Sequence, residues 1–237
     1  MKRVLIIGAT SGIGSKLSTD LIDDFDLIVT GRDTQKLEPL EIADSKKIFL
    51  DLEDDASFDS LIDKLPELHG VVYCAGLTHH TPVKFLKKEH LYTMFNVNVF
   101  AAISIISKLL KQKKISDSGS VVLLSSIATQ YPYFGGSLYV ASKLALEGFA
   151  KSLAIELSNK KIRVNCVAPS FVKTNMVKSM EEFSSEDALG IFSKKHPMGV
   201  VEVNDVTNLI NYLLSDQSKL ISGQIMNVGN FNTGLSS

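Results

Sequence analysis

Short apolar runs alternate with amphipathic segments along most of this chain. Seven runs are rich in valine, isoleucine and leucine, and they predict strands at residues 4–7, 26–30, 47–50, 70–74, 120–124, 161–167 and 224–228. Continuous apolar runs of this length are typical of strands that are covered on both faces, as in a parallel sheet.

Segments with helical periodicity separate these strands. They cover residues 12–24, 56–65, 87–113, 137–158 and 205–214, and the segment 137–158 shows an apolar face at Leu138, Leu144, Phe149, Leu153 and Leu157. Strands that alternate with helices predict an α/β fold with one doubly wound parallel sheet and helices on both faces. No linker or repeat interrupts the pattern, so residues 1–237 are expected to form a single domain.

Composition narrows the classes of function. Of the 237 residues 45% are hydrophobic and 22% charged, and a net charge of -1 provides no field that attracts nucleic acid or an anionic membrane. The chain has no run of about 18 apolar residues and no signal-peptide pattern, so we expect a cytoplasmic protein that does not span a membrane. Cys74 and Cys166 are interpreted as small buried side chains. His79 and His80 lack a partner cluster, so no metal is expected.

A glycine-rich turn joins the first strand to the first helix. Its pattern is Gly-x-x-x-Gly-x-Gly, and its candidate binding residues are Gly8, Thr10, Ser11, Gly12, Ile13 and Gly14. Glycines allow the backbone to approach a pyrophosphate closely, while free amides and the helix dipole attract its negative charge. The segment predicts a pyrophosphate site, and the alternative is a glycine turn that binds no ligand.

The end of the second strand carries the charges that select a dinucleotide. In dinucleotide folds a carboxylate at this place pairs with a free 2′-hydroxyl of the adenosine ribose, whereas an arginine pairs with a 2′-phosphate. Arg32 lies nearer the strand end, and Asp33 stands where it would cap the following helical turn. This order favours NADP(H) over NAD(H), and an ordinary surface arginine is the alternative.

A tyrosine and a lysine share one face of the predicted helix 137–158. Tyr139 and Lys143 are four residues apart, and Ser126 lies thirteen residues before Tyr139 at the end of the fifth strand. An ammonium beside a phenol favours the phenolate and lowers its pKa, which suits Tyr139 to proton transfer near neutral pH. On its own the spacing is also consistent with a tyrosine packed under a lysine stem.

Taken together, these motifs resemble the short-chain dehydrogenase/reductase family in its compact form, over nearly the whole chain. The matching set, in the family's order, is Gly8-x-x-x-Gly12-x-Gly14, Asp51, Cys74-Ala75-Gly76, Asn98, Ser126, Tyr139-x-x-x-Lys143 and Pro169. The resemblance implies a Rossmann-like sheet of seven parallel strands. It also implies an enzyme that interconverts carbonyls and alcohols with NAD(P)(H).

The resemblance further implies roles for four catalytic residues. Tyr139 would be the general acid in reduction and the base in oxidation, while Lys143 would lower its pKa and hold the nicotinamide ribose. Ser126 would bind the substrate oxygen, and Asn98 would anchor a water that links Lys143 to bulk solvent. Hydride would pass between the nicotinamide and the carbonyl carbon.

The family pattern also implies the cofactor contacts beyond the glycine turn. Arg32 would meet the 2′-phosphate, and Asp51 and Leu52 would flank the adenine. The remaining residues would line the cofactor groove or meet the nicotinamide, and they are Ala75, Gly76, Tyr139, Lys143, Pro169, Val172 and Thr174.

Three residues, in two motifs, depart from the family pattern. The pair before Ala75 is Tyr73-Cys74 where the family usually has two asparagines, and Ser170 follows Pro169 where the family usually has glycine. Neither change removes a catalytic group, but Ser170 adds a side chain near the nicotinamide pocket and could narrow it.

Substrate specificity is expected in two places. One is the loop after Ser126, where Tyr131, Tyr133 and Phe134 are candidates for a pocket wall, with ordinary loop packing as the alternative. The other is the irregular segment 175–203, which closes over the substrate in the family. The family default is a 3-oxoacyl thioester, and a sugar, steroid or small ketone fits nearly as well.

The sequence also disfavours two other classes of function. A regulator that senses NADP(H) without turnover typically loses the tyrosine or the lysine, and this chain keeps both. A sugar-nucleotide epimerase or dehydratase is disfavoured by length and glycine spacing. In the family the last strand and the long helices at 87–113 and 137–158 commonly form subunit interfaces, so a homo-oligomer, a dimer or tetramer, is expected.

Overall fold

A computed structural model of the protein describes residues 1–172 and 199–229. Its centre is a seven-stranded sheet with parallel neighbours throughout. In chain order the strands are β1 Arg3–Ile7, β2 Asp26–Gly31, β3 Lys47–Phe49, β4 Leu68–Tyr73, β5 Ile115–Leu124, β6 Arg163–Pro169 and β7 Ile225–Val228. They lie across the sheet in the order β3-β2-β1-β4-β5-β6-β7. The predicted Rossmann-like α/β fold is confirmed.

Helices cover both faces of the sheet. Among the described residues the α-helices are α1 Gly12–Asp20, α2 Asp55–Lys64, α3 Lys88–Phe95, α4 Ala101–Lys111, α5 Ser137–Glu156 and α6 Val203–Leu214. A π-helical turn, Asn96–Phe100, joins α3 to α4, so the predicted helix at 87–113 is one long element with a local change of winding. Helices α2, α4 and α5 pack on one face of the sheet, and α1 and α6 pack on the other.

Each face of the sheet has its own apolar core, which explains the continuous apolar runs in the sequence. In β1, Leu5 and Ile7 point into the core under α2, α4 and α5. Val4 and Ile6 point into the core under α1 and α6. Successive side chains of a strand alternate between faces, so a strand that is covered on both sides must be apolar at every position.

The inward face of α5 differs from the predicted one. Leu144 was expected in the core, yet it is 48% exposed. Leu146 and Ala150 take that place in the core, and the buried side of the helix also carries Lys143 and Glu147. Polar residues on a buried helix face disturb the apolar periodicity from which such a face is predicted.

Two other elements also begin or end at residues that differ from the predicted ones. Helix α1 ends at Asp20 rather than near residue 24. Strand β5 begins at Ile115, five residues before the predicted start, and the register of its pairing with β4 shifts between Leu68 and Gly70. Neither change moves the carboxyl end of a strand, where the candidate site residues lie.

Among the described residues, one helical stretch, Lys88–Lys111, is long and apolar enough to cross a membrane by length and composition alone. Its apolar side packs against the sheet, where Ala102, Ile105 and Leu109 are fully buried in the core. The core helix of a globular domain passes the same test of composition.

The strand order places a crevice at the carboxyl edge of the sheet. The chain fills the β2–β3 side of β1 first and then crosses to β4 on the other side. Loops that diverge at such a reversal leave a ligand crevice in open α/β sheets. Gly8, Ala75, Ser126 and Ser170 all follow strands at this edge. Thr174, and the predicted lid from residue 175 to residue 198, lie outside the described residues.

Candidate active site

The glycine turn after β1 packs backbone against backbone. Gly8 has a φ of +90°, and a Cβ at this position would lie 2.7 Å from the Ala75 nitrogen. A Cβ at Gly14 would lie 2.1 Å from the Gly8 carbonyl oxygen. Both positions therefore exclude any side chain, and the start of α1 lies directly against the turn and the end of β4.

The outer side of the same turn is open. Gly12 has a φ of +55°, and a Cβ there would meet nothing within 4 Å. Ser11 occupies the N-cap position of α1 without a side-chain capping bond, and the first turn of α1 contains no acidic residue. First-turn amides have no partner within a helix. This arrangement fits an anionic pyrophosphate, because donors and a positive helix end face open space.

The end of β2 lies beside this turn. A Cβ at Gly31 would lie 2.1 Å from the Thr10 methyl carbon, so Thr10 packs directly on the strand end. Arg32 is exposed. The Asp33 carboxylate forms an ion pair with Lys36 Nζ at 3.1 Å. Asp33 stands at the predicted N-cap position but makes no side-chain capping bond, because its carboxylate is turned to Lys36.

Asp51 and Leu52 follow β3 and are partly buried. The Leu50 amide donates to the Gly31 carbonyl at 3.1 Å, which brings this segment to the end of β2. The Asp51 carboxylate accepts a bond from the Glu53 amide at 3.0 Å. The pair therefore lies near the charges that follow β2, where the adenine contacts were predicted.

The segment after β4 borders two of the residues predicted to be catalytic. Gly76 is exposed, and a Cβ there would lie 3.2 Å from Lys143 Nζ and 3.4 Å from Asn98 Oδ1. A side chain at Gly76 would fill the space in front of both polar groups. Ala75 joins this segment to the glycine turn, because it contacts Gly8 from the other side.

Tyr139 projects from the first turn of α5 toward Ser126 at the end of β5. A hydrogen bond between the two side chains lowers the pKa of Tyr139, but burial raises it more strongly, and the net pKa of the phenol is raised. Ser126 Oγ also accepts a bond from the Ala128 amide at 3.2 Å. The structure brings the predicted pair together.

The predicted lowering of the Tyr139 pKa by Lys143 is wrong for this structure. Lys143 is 3% exposed, and its Nζ donates to the Leu124 carbonyl at 2.8 Å. The ammonium lies 5.8 Å from the centre of the Tyr139 ring. Burial lowers the pKa of Lys143 itself to about 8. The expectation failed because burial acts on both groups and favours their neutral forms.

Asn98 lies inside the π-helical turn and is fully buried. Its Oδ1 accepts from the Leu77 amide at 2.7 Å, and its Nδ2 lies 3.0 Å from the Leu77 carbonyl and 2.9 Å from Ser142 Oγ. Asn98 therefore ties the loop after β4 to α5 beside Lys143. A π turn re-aims side chains and is often found at functional sites.

Several buried polar groups near the site were not predicted from sequence. Ser125 Oγ and Thr129 Oγ1 both bond to Glu147 Oε1, at 2.6 Å and 3.0 Å. Tyr73, which departs from the family pattern, is fully buried and donates to the Val97 carbonyl in the π turn. Glu147 follows Lys143 by the same four-residue step that links Tyr139 to Lys143, and that step was its only signal in the sequence.

The end of β6 carries the other departure. Pro169 pairs with Val228, and Val172 forms a bridge with Val201. Ser170 Oγ is buried and has no hydrogen-bond partner within residues 1–172 and 199–229. A Cβ at Gly229 would lie 2.2 Å from this oxygen, so glycine at 229 makes room for the Ser170 side chain. An orphaned hydroxyl at this edge is a further group that fits a polar ligand.

The loop before α5 presents aromatic side chains. Tyr131, Tyr133 and Phe134 are 43%, 42% and 81% exposed. The Tyr133 ring stacks on His80 with centroids 5.6 Å apart, and a charge on Tyr133 would raise the pKa of Tyr139. Tyr133 therefore lies near enough to Tyr139 to interact with it electrostatically. In the described part of the chain, no group of three or more His, Cys, Asp or Glu residues could hold a metal ion.

Known proteins resemble this chain along almost its full length. A family model for short chain dehydrogenases matches residues 2–185. The 3-oxoacyl-[acyl-carrier-protein] reductase FabG of Rickettsia felis is 31% identical over 232 residues, covering 96% of this chain and 95% of that protein. The L-2,3-butanediol dehydrogenase of Corynebacterium glutamicum is 30% identical, covering 95% and 96% of the two chains.

Solved structures give the same picture. A 4-hydroxyisoleucine dehydrogenase complexed with NADH superposes with a TM-score of 0.87 at 26% identity, covering 99% of this chain and 100% of that one. ElxO with NADP bound superposes with a TM-score of 0.82 at 26% identity, covering 96% of each chain. The two neighbours carry different nicotinamide cofactors, so the similarity gives the class of cofactor and leaves the choice between NAD and NADP open.

Proposed function

The chain belongs to the short-chain dehydrogenase family, and we propose that this oxidoreductase reduces the carbonyl group of a small molecule with NADPH. The observation that carries the proposal is the hydrogen bond between the side chains of Tyr139 and Ser126, with Lys143 Nζ 5.8 Å from the centre of the Tyr139 ring. A carbonyl oxygen held by Ser126 would lie within reach of the phenol, which can donate its proton in reduction.

Each of the four polar side chains has a different role in proton transfer. Tyr139 gives its proton to the substrate oxygen, and Ser126 orients that oxygen by a hydrogen bond. Lys143 places a positive charge beside the tyrosinate that remains. Asn98 holds the loop at Leu77 against α5, next to the path by which a proton returns through water. When bound, the nicotinamide supplies the hydride.

The proposed cofactor site spans the carboxyl edge from β2 to β6. Residues Gly8, Thr10, Ser11, Gly12, Ile13 and Gly14 hold the pyrophosphate, and Asp51, Leu52, Ala75, Gly76, Pro169, Val172 and Thr174 line the groove. Preference for NADPH is supported by Arg32, which is exposed, while Asp33 is engaged by Lys36. A 2′-phosphate pairs with a free guanidinium, whereas an engaged carboxylate is less able to bind a 2′-hydroxyl.

The substrate class we propose is a 3-oxoacyl thioester. The Rickettsia felis relative acts on this class by its name. Leu77 lies on the loop beside Asn98 and is 40% exposed. Tyr133 lies on the loop beside Tyr139 and is 42% exposed. Apolar walls of this kind suit an acyl chain, with few polar groups to fix the reacting carbonyl. We propose that residues 175–203 close over this pocket.

A substrate panel tests the proposed function. NADPH and NADH absorbance would be followed with 3-oxoacyl thioesters of several lengths, small diketones and hydroxyketones, a steroid ketone and a ketose. We expect NADPH-dependent reduction that is fastest with the thioesters. Faster turnover of a small diketone would move the substrate class toward that of the butanediol dehydrogenase relative. NADPH binding without turnover of any carbonyl would indicate a cofactor-sensing regulator instead.

We also propose that the protein is a homo-oligomer. The π turn before α4 and helix α5 expose large apolar side chains, with Phe100 at 53%, Leu144 at 48% and Ile155 at 76%. Phe100 also borders a shallow groove on α4 with Ile103 and Ser107, away from Tyr139. Exposed large apolar side chains on these elements support a protein interface. Light scattering should give a dimer or tetramer, and Phe100→Glu should shift it toward monomer, whereas a monomeric wild type would refute the proposal.

A cytoplasmic location is consistent with the two cysteines. Both Cys74 and Cys166 are free thiols, and burial raises the pKa of each to about 12. Buried thiols without a disulfide are typical of reducing compartments. Fractionation of cells that express the tagged protein should recover it in the soluble cytoplasmic fraction.

A further inference from the structure

A buried carboxylate lies two helical turns from Tyr139 on α5. Glu147 is 7% exposed, and its Oε1 accepts bonds from Ser125 Oγ at 2.6 Å and Thr129 Oγ1 at 3.0 Å. Glutamate is almost never buried unless its charge is compensated. A core position filled only for packing would hold an apolar residue, so the carboxylate at this position requires another explanation.

The two hydroxyl donors lie on either side of Ser126. Ser125 precedes it directly, and Thr129 ends the short 3-10 helix that follows it. Thr129 Oγ1 also lies 3.0 Å from the Ser126 carbonyl. One carboxylate oxygen therefore holds both ends of the turn that presents Ser126. Because Glu147 and Tyr139 belong to the same helix, the same contacts fix the position of Ser126 relative to Tyr139.

Glu147 also contributes to the charge balance around Lys143. The titratable groups that face Lys143 are Cys74 at the end of β4, Cys166 on β6, and Tyr139 and Glu147 on α5. Burial lowers the pKa of Lys143, and electrostatic interactions with Cys166, Cys74 and Glu147, in decreasing order, oppose that shift. Lys151, which is exposed on the next turn of α5, acts on Cys166.

We propose that Glu147 is a positioning residue that fixes Ser126 against Tyr139 and, one helical turn from Lys143 on the buried side of α5, favours the cationic form of that lysine. It touches neither substrate nor cofactor and acts through these three residues. The inference rests on the proposed function for the roles of Ser126, Tyr139 and Lys143. It adds a fifth polar group to the four that the family pattern identifies.

Three variants separate the two effects of Glu147. Glu147→Gln keeps the acceptor oxygen and the volume but removes the charge. Thr129→Val removes one hydroxyl and leaves the charge in place. Glu147→Leu removes both. Glu156→Gln is the matched control, because Glu156 is exposed on the same helix. Each variant would be examined for unfolding temperature, kcat, KM, and the pH dependence of both kcat/KM and the Kd for NADPH.

The expected results differ between the variants. Glu147→Gln should lower kcat about tenfold with little change in KM. In this variant kcat/KM and the affinity for NADPH should begin to fall at a lower pH than in the wild type, because Lys143 loses its negative neighbour. Thr129→Val should lower kcat a few-fold without moving either profile. Glu147→Leu should combine the effects, with kcat lowered roughly a hundredfold. The Glu156→Gln control should match the wild type.

A carboxylate with a merely structural role would change the unfolding temperature alone. Wild-type kcat and unshifted pH profiles in Glu147→Gln would therefore overturn the inference, whatever happens to stability. If Glu147→Leu does not fold, Glu147→Gln and Thr129→Val still decide the question. If the wild type binds NADPH but reduces no carbonyl, the proposed function fails, while the pH dependence of NADPH binding in Glu147→Gln still tests the role of Glu147.

Discussion

The two halves of the candidate site are built in opposite ways. The cofactor half is shaped by missing side chains, since Gly8 and Gly14 lie where a Cβ would collide with neighbouring backbone. The proton-transfer half is made of polar side chains taken out of water, including Asn98, Lys143 and Glu147. The cofactor half should therefore fail when atoms are added, and the proton-transfer half when charges or hydrogen bonds are removed.

The largest expected effect belongs to the proton-transfer half. Tyr139→Phe should lower kcat for carbonyl reduction roughly 10²- to 10⁴-fold, because the ring remains but the proton donor is lost. The Kd for NADPH, measured by fluorescence titration, should stay close to the wild-type value. Tyr212→Phe is the control, because Tyr212 is an exposed tyrosine on α6. A parallel loss of NADPH affinity in Tyr139→Phe would contradict the division into two halves.

Gly14→Ala should damage the cofactor half and the fold together. The added Cβ would lie 2.1 Å from the Gly8 carbonyl oxygen, and relieving such a clash typically costs about 1–3 kcal/mol. The Kd for NADPH should rise as the helix start moves away from the turn. Gly148→Ala adds the same atom to α5, where nothing lies within 4 Å, and it should be neutral or stabilising by up to about 1 kcal/mol. Denaturant titration of both variants measures the difference.

Arg32→Asp should reverse the choice of cofactor. Loss of a charge-assisted bond to the 2′-phosphate, worth about 1.5–3 kcal/mol, should raise the KM for NADPH roughly 10- to 100-fold. The KM for NADH should change little or fall. Lys36→Ala releases Asp33 from its ion pair, so it should weaken the preference for NADPH, but by less than Arg32→Asp does, because Arg32 remains. A wild type that prefers NADH would refute the assignment of Arg32.

Deprotonation of Lys143 above pH 8 should raise the free energy of unfolding and lower the catalytic activity. Burial lowers its pKa to about 8, so the folded state binds fewer protons than the unfolded state from there to the ordinary lysine range. The unfolding free energy should therefore rise with pH, by up to about 1.4 kcal/mol per unit, relative to Lys143→Met. The useful window is pH 8 to 9, because the raised pKa values of Cys74 and Cys166 oppose the trend at higher pH.

The same deprotonation should weaken catalysis. The cation is the active form in the proposed mechanism, so kcat/KM should fall as the pH rises through about 8. Steady-state rates and denaturant titrations at matched pH would test both signs. A kcat/KM that stays level to pH 10 would contradict the proposed role of the charge.

The smallest predicted effect concerns Ser170. Ser170→Ala removes a buried hydroxyl that lacks a partner among the described residues, so it should stabilise the free protein by about 1 kcal/mol. Ser120→Ala is the matched control. The Ser120 hydroxyl donates to the Leu213 carbonyl at 2.7 Å, and its loss should destabilise the protein by about the same amount. Destabilisation by Ser170→Ala would show that the hydroxyl has a partner.

Local features of the sequence predicted most of the architecture. The parallel sheet follows from apolar runs that must be covered on both faces, and the glycine turn follows from the glycine spacing between a strand and a helix. The four-residue step from Tyr139 to Lys143 placed both side chains on one helix face. These properties depend on residues close together in the chain, and the confirmed sheet shows that local pattern and tertiary packing agree.

Burial and long-range pairing were decided only by the tertiary structure. The sequence predicted a lowered pKa for Tyr139, but packing buried Lys143 and part of the phenol, which favours the neutral form of each. Glu147 receives its hydrogen bonds from residues 22 and 18 positions earlier in the chain. Desolvation and such contacts depend on how distant segments meet. The sequence therefore predicted which groups would transfer the proton, and the fold determined the surroundings that set the pKa of each.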